Sequence, residues 1–321
     1  MQWYRNIQQI VDEIDRCIRA HEDDALTLLR LAARFGYSEY HMSRKFREIT
    51  GMAFRDYLRG RRLAHALIRL RDTRERILDI ALDCGFSSQE AFTRAFSAAY
   101  GMTPGAYRRK PVPVVLRTVI KPLDCYLMGI GGTGMAQTTG DVKTYFVTIP
   151  AHKYLHIRNY ESIGYWDFWQ KQSRIPGQDC ETICGLLASV EGKLDDAGGQ
   201  AADSGGGQVM AFINEPSGRI CSWGIPLAES YGVRLPADYD AEVPPQMMLM
   251  DVPEGEYIVF EHGPFDYERE NAAVEAKIEA AMKAFDYDAS GYRLDTTPGR
   301  VFYFYHDTQR FFKYVRPVCR R

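Results

Sequence analysis

Leu31-Ala32-Ala33-Arg34-Phe35-Gly36-Tyr37-Ser38, answered about fifty residues later by Ile80-Ala81-Leu82-Asp83-Cys84-Gly85-Phe86-Ser87, decides the fold of the first third of this 321-residue chain. Downstream of each stretch the echo continues: Thr50-Gly51-Met52 with Tyr57 is matched by Tyr100-Gly101-Met102 with Tyr107. Each copy spells an apolar helix, a glycine turn, a serine-capped second helix and a glycine stop, which is a helix-turn-helix written twice. In the first copy Leu28, Leu31, Ala32 and Phe35 recur at helical spacing and bury one face. Ser38 is placed to accept from the free amides of the next helix. That helix turns Met42, Phe46 and Ile49 inward and Tyr40, Ser43, Arg44 and Arg47 outward. In the second copy Ile77, Ile80, Ala81 and Cys84 form the supporting face, and Ser87 with Glu90 fits a capping box. Phe92 and Phe96 point inward there, leaving Gln89, Glu90, Thr93 and Arg94 outside, while Thr103-Pro104 opens a last short helix as cap and first helical residue.

Between the copies, residues 55–70 carry Leu63, Ala64, Leu67 and Leu70 at helical spacing. They predict one rod of about 16 residues, about 24 Å long at 1.5 Å per residue. Such a rod can hold two recognition helices about one duplex turn apart, so one chain does what a helix-turn-helix dimer does. Charge divides the chain in the same place. Residues 1–110 hold 20 Lys and Arg against 14 Asp and Glu, and the rest holds 20 against 28. The basic end therefore carries the phosphate-binding potential. A lone arginine-bearing helical face is usually only a solvated one. Two such faces in register, each with a cap and a glycine stop, are a much stronger sign of DNA recognition.

The stretch Ala81-Leu82-Asp83-Cys84-Gly85-Phe86-Ser87-Ser88-Gln89, with Phe92-Thr93-Arg94-Ala95-Phe96 and Gly101-Met102-Thr103-Pro104-Gly105-Ala106-Tyr107-Arg108, resembles the signature of the AraC/XylS family of transcription regulators over about residues 8–109. In relatives that bind as monomers, an aromatic and an arginine on the first recognition helix and a glutamine, a threonine and an arginine on the second reach the bases. By position the resemblance places those roles on Tyr40, Arg44, Gln89, Thr93 and Arg94, with Ser43, Arg47 and Glu90 beside them. Arg44 is the best single candidate for bidentate contact with guanine, worth about 1–3 kcal/mol of discrimination. Tyr40 stands where the nearest relatives commonly have tryptophan. The resemblance also implies a double-stranded DNA operator and activation through contact with RNA polymerase.

After the basic, proline-marked stretch Arg108-Arg109-Lys110-Pro111-Val112-Pro113, helical periodicity gives way to short strands, with 115–120 and 125–130 strand-like. A second internal repeat follows. Ile149-Pro150-Ala151-His152-Lys153-Tyr154-Leu155-His156-Ile157 resembles Val252-Pro253-Glu254-Gly255-Glu256-Tyr257-Ile258-Val259-Phe260, and Val209 to Glu215 resembles Val301 to Asp307. Each half places a helix after its first strand, around 165–172 and 271–284. The expectation is a multidomain protein: an all-α double helix-turn-helix over 1–110, a linker at 111–113, and an α+β pseudo-twofold domain with antiparallel sheets enclosing a cleft over 114–321.

That second pattern is similar to the GyrI-like effector-binding domain, whose members form an aromatic-lined pocket and in several cases sense bulky hydrophobic cations. The resemblance implies a small lipophilic or aromatic effector and places its contacts on Trp166, Trp169, Trp223, Tyr257, Glu261, Phe302 and Phe304. Any single ring is more often core. Trp166 and Trp169 are the better candidates because they lie three apart on one helix. Cation-binding members place a buried carboxylate on the strand through Phe302, which is apolar here, so a neutral aromatic fits as well as a cation; Glu261, Glu215 and Glu181 are other acids that could serve.

Several features are set aside. Gly129-Ile130-Gly131-Gly132-Thr133-Gly134 has dinucleotide-binding spelling but no helix pattern after it, and 198–207 reads as a flexible loop. Cys180 and Cys184 lack a matching ligand pair, so neither metal nor cofactor is expected. Seven scattered cysteines and the lack of a signal segment or apolar span suit a reduced, cytoplasmic protein with no membrane partner. The chain is expected not to be an enzyme. The rivals are a hydrolase using Tyr303 or Tyr305 with Glu261, and an acidic protein-binding module.

Overall fold

The computed structural model describes residues 1–22, 26–123, 142–194, 207–221, 223–307 and 311–321. Two compact units divide the chain: Met1–Gly131 with Cys184–Ser189, and Gly132–Ile183 with Val190–Arg321.

The first unit opens with α1 (Gln2–Ala20), whose Ile7, Ile10, Val11, Ile14 and Ile18 are buried at helical spacing. The two helix-turn-helix copies follow as α2 (Leu28–Arg34) with α3 (Glu39–Thr50), and α5 (Ile77–Asp83) with α6 (Gln89–Tyr100). Their link is α4 (Phe54–Asp72), a helix of 19 residues, about 28 Å long. Met42, Phe46, Phe54 and Tyr57 close one core with α1, while Leu67, Ile80, Phe92, Phe96 and Tyr107 close a second. Ser38 Oγ accepts from His41 N at 3.3 Å, and α3 and α6 both end on left-handed glycines, Gly51 and Gly101. The last helix, α7 (Pro104–Arg109), is capped by Thr103 with Pro104 in its first turn, as its sequence predicts.

One cap differs from expectation. Ser88, rather than Ser87, caps α6, its Oγ accepting from Ala91 N at 3.1 Å. The reason is a one-residue insertion: α2 and α5 are 49 residues apart, but α3 and α6 are 50 apart. Glu90 thereby falls on the second residue of the helix, too early for a capping box with Ser87.

Residues 115–120, expected to be a strand, form no ladder. Their backbone is satisfied irregularly, Leu116 N donating to Gly185 O at 3.2 Å and Leu116 sinking into the second helical core. The expected strand 125–130, the Gly129–Gly134 motif and nearly all of the 198–207 loop lie outside the described residues.

The second unit is built on one nine-stranded antiparallel sheet rather than separate sheets. Its strands are β1 (Lys143–Ile149), β2 (His152–Asn159), β3 (Gln208–Ile220), β4 (Pro226–Pro236), β5 (Met248–Val252), β6 (Gly255–His262), β7 (Tyr292–Leu294), β8 (Val301–Asp307) and β9 (Phe311–Arg320). They run in the order β1-β6-β9-β8-β3-β4-β2-β5, with β7 alongside β9. Under the sequence repeat β1 corresponds to β5, β2 to β6, β3 to β8 and β4 to β9, and this order reads the same from either end. The pair Ala211↔Tyr303 in β3 and β8 is its own image, so the pseudo-twofold axis passes there. Each half also gives its first strand away: β1 pairs with β6, and β5 pairs with β2.

Alternation along the strands separates two faces. Tyr154, Ala211, Tyr257, Val259, Tyr303, Tyr305 and Val315 form the core of one. The other carries Phe212, Leu227, Tyr231, Phe302 and Tyr314, with α8 (Tyr165–Gln172) packed at β2 and α10 (Tyr267–Ala284) at β6 and β9. Two helices absent from the sequence reading, α9 (Cys180–Ser189) and the single turn α11 (Tyr287–Ser290), complete the described elements.

Candidate nucleic-acid interface and ligand cavity

On α3, Tyr40 is 79% exposed, and Ser43, Arg44 and Arg47 are exposed beside it, while Met42 and Phe46 are fully buried behind them. On α6, Gln89, Glu90 and Arg94 are exposed and Thr93 half-buried, over buried Phe92 and Phe96. The 50-residue offset makes Ser43 equivalent to Thr93 and Arg44 to Arg94. Several arginines of this unit are neutralised: Arg34 by Glu13, Arg61 by Asp15, Arg69 by Glu75 and Asp83, Arg71 by Asp72. Among the described residues Arg44 and Arg47 have no such acid, and Arg94 feels only Glu90 one turn earlier. The guanidiniums on the recognition helices thus face solvent with donors to spare, as phosphate or guanine contact requires.

In the second unit a cavity of about 250 Å³ opens on the helix-bearing face, lined by Phe212, Arg219, Cys221, Trp223, Leu227, Glu229 and Tyr314. It lies at the repeat axis. Glu229 on β4 and Tyr314 on β9 are symmetry mates, since Ser230 and Val315 pair with the mates Ala211 and Tyr303. Glu229 is only 4% exposed. Its Oε1 accepts from Gly164 N at 2.7 Å, at the start of α8, and its Oε2 has no hydrogen-bond partner among the described residues. The N-terminus of α8 attracts that carboxylate, and the second oxygen is buried without a donor among the described residues. Trp223 is backed by Phe302 at 5.8 Å and covered by the buried Arg316, 4.4 Å from its ring. Burial pushes the Arg316 guanidinium below its ordinary pKa range.

Of the effector-contact residues expected from sequence, Trp223 lines this cavity and Phe302 lies directly behind it. Phe304 shares the face and lies against Tyr314, ring centroids 4.7 Å apart and tilted. Trp169 is buried against Tyr231 at 5.0 Å, and Trp166 is 48% exposed; neither is in the wall. Tyr257 and Glu261 are on the opposite face, where Glu261 accepts from Tyr145 at 2.6 Å and meets Lys313 Nζ at 3.4 Å. Tyr303 and Tyr305 are on that face too. Glu229, Arg219, Phe212 and Tyr314 went unread in the sequence. The available signal was an acid directly after Leu227-Ala228 inside a strand-like stretch, because a buried charge without full compensation is costly and rarely accidental. No group of three or more potential metal ligands occurs among the described residues, and no helix there is long and apolar enough to cross a membrane.

A helix-turn-helix domain family model matches residues 31–110. Over 94 residues the chain is 46% identical to the right origin-binding protein of Escherichia coli strain K12, covering 29% of this chain and 32% of that one. Over 103 residues it is 38% identical to the regulatory protein SoxS of Escherichia coli strain K12, covering 32% of this chain and 96% of SoxS. Among solved structures, the C-terminal domain of AraT, a response regulator from Geobacillus stearothermophilus, is 31% identical with a TM-score of 0.29, covering 32% of this chain and 86% of that one. The chain thus spans about a third of the length of the right origin-binding protein and nearly all of SoxS. With a relative of this identity matched almost end to end, and with two helix-turn-helix units in register, the chain belongs to the AraC/XylS family of regulators.

Proposed function

We propose that this protein is a sequence-specific transcription regulator whose α3 and α6 read adjacent major grooves of one operator, and whose second, sheet-bearing unit senses a small aromatic ligand. The observation that supports DNA reading most directly is the equivalence of Arg44 and Arg94 on two capped, exposed helices joined by a 19-residue rod. Tyr40, Ser43, Arg47, Gln89, Glu90 and Thr93 complete the reading surface. Selection from a random duplex library should return a bipartite site with two half-sites about one helical turn apart. Arg44→Ala and Arg94→Ala should each lower preference for that site by about 1–3 kcal/mol and relax one half-site. A single-half-site consensus, or unchanged preference in both variants, contradicts the reading. Activation through RNA polymerase is part of the proposal and predicts higher transcript yield from a promoter bearing the site in a purified system.

The ligand reading is supported by Glu229, whose buried carboxylate lines an aromatic-walled cavity with one oxygen lacking a donor among the described residues. At about 250 Å³ the cavity suits a compact ring with a positive or hydrogen-bond-donating group rather than a large drug. Trp223 should report binding of phenyltrimethylammonium or benzamide in a fluorescence titration of the full chain. Glu229→Gln should weaken the cation at least tenfold and the neutral amide less than threefold. Equal weakening of both, or binding insensitive to Trp223→Phe, counts against this site.

A further inference from the structure

Helix α4 serves both helix-turn-helix cores, and its weak point falls between them. Phe54, Tyr57 and Leu58 belong to the first core; Leu63, Ala64, Ala66, Leu67 and Leu70 belong to the second. Gly60 sits at the joint, mid-helix, where glycine costs about 1 kcal/mol relative to alanine and leaves the backbone easiest to bend. The segment after α7 returns along this helix and crosses that joint. Val114 and Leu116 pack into the second core, whereas Val119 and Ile120 pack into the first. Arg117, between them, lies over Gly60: a Cβ built there would meet Arg117 Cβ at 3.0 Å and Cγ at 3.1 Å.

The crossing is fastened on both sides. Arg61 Nη1 donates to Arg117 O, while Arg61 Nε and Nη2 hold the two Asp15 oxygens at 2.8 and 2.7 Å, tying in α1. Ile120 N reaches Tyr57 Oη at 3.5 Å. At the other end Val114 N donates to Ser189 Oγ at 3.0 Å, and Arg71 Nη1 on α4 donates to Ser189 O at 2.7 Å. A loose tether between domains needs none of these contacts.

We propose that residues 114–120 are a splint across the Gly60 joint, holding α3 and α6 at one separation and so fixing the half-site spacing the protein accepts, with Arg117 as the positioning residue. The inference rests on the two-groove reading above. Inserting one base pair between half-sites moves one of them by about 3.4 Å and about 35°. A stiff reader rejects that change and a hinged one follows it.

The test uses the full chain and the bipartite site selected by the wild type, with and without one inserted base pair, and reads the ratio of the two dissociation constants. That ratio is insensitive to a general loss of phosphate contacts. Wild type should discriminate at least tenfold. Arg117→Gly, which uncovers Gly60 but touches no base-reading residue, should reduce this to threefold or less. Adding Gly60→Ala to Arg117→Gly, where the lost side chain makes room for the methyl and the helix stiffens by itself, should restore at least tenfold discrimination. Ser189→Ala, which removes one fastening and no core volume, should shift the ratio the same way by less, and thermal melts establish that all variants are folded. Undiminished discrimination in folded Arg117→Gly, or a double variant that stays relaxed, overturns the splint. A wild type that selects no bipartite site overturns the two-groove reading and the splint with it.

Discussion

Asp15 and Arg61 show how little a charged residue's type reveals about its setting. Both lie on helices whose polar positions read as solvated, yet they are 5% and 8% exposed and joined by two hydrogen bonds. Removing one member of such a pair leaves the other buried and uncompensated. Asp15→Asn should therefore cost about 3–5 kcal/mol, seen as a large fall in the melting temperature of the helical unit. Asp56→Asn, which breaks the exposed Asp56–Arg59 pair, should cost less than about 1 kcal/mol. Similar losses in both would mean the burial of Asp15 is not what matters. Glu229 carried only a weak signal for the same reason. Alternation assigns a strand residue to a face, but which face is walled by helices and which acid borders a cavity depends on partners far along the chain. Arg44 and Arg94 were legible because their helices are amphipathic by local spacing alone.

At the scale of elements, the repeats located most helices and strands, and the errors came from single-residue shifts and lost partners. Periodicity cannot see the residue inserted between Gly85 and α6, because Ser87 and Ser88 are both good caps. Ser88→Ala should cost about 1 kcal/mol of stability and Ser87→Ala close to nothing. The reverse order in thermal melts would restore the capping box at Ser87. Strand β2 carries a second consequence. His152 and His156 are 2% and 0% exposed, and burial pushes each pKa from about 6.5 down to about 4, with Arg234 and Arg158 respectively adding to the fall. Both rings are bound as neutral imidazoles. His152 spans Pro150 O at 2.8 Å and Tyr303 Oη at 2.5 Å, and His156 Nε2 accepts from Arg158 at 3.1 Å. Between pH 6.5 and 4 the unfolded chain takes up protons that the folded sheet refuses. Stability therefore falls as pH falls through that window, by up to about 3 kcal/mol per histidine. Hydrogen exchange of the β2 amides should accelerate from pH 6.5 to 4.5 beyond its intrinsic pH dependence, and His152→Gln with His156→Gln should flatten the response. A β2 protection that is constant over that window would contradict it.

For the whole molecule, the sequence repeat revealed that the second unit has two halves but not how they are joined. Similarity between Ile149 to Ile157 and Val252 to Phe260 identifies equivalent strands; it carries no information on which strand lies beside which. The simple expectation is two self-contained halves meeting at an interface. The sheet instead exchanges first strands: all seven β1 residues from Lys143 to Ile149 pair with β6, and the five β5 residues from Met248 to Val252 pair with β2. Without β5 to Arg321, β1 loses its neighbour, β2 loses one of its two, and the central β3 loses β8. Unpaired edges and uncovered tyrosines are costly enough that half a sheet has no stable state of its own. The unit should therefore unfold in one cooperative step, with the amides of β2 to β4 and those of β6 to β9 losing hydrogen-exchange protection at the same denaturant midpoint. A chain ending at residue 245 should lose protection throughout β2 to β4 while the helical unit, whose core residues among those described all precede Ser189, still melts as in the intact protein. Retained protection in β3 and β4 of that truncated chain would show that each half is self-sufficient and that the exchanged strands are ornament rather than foundation.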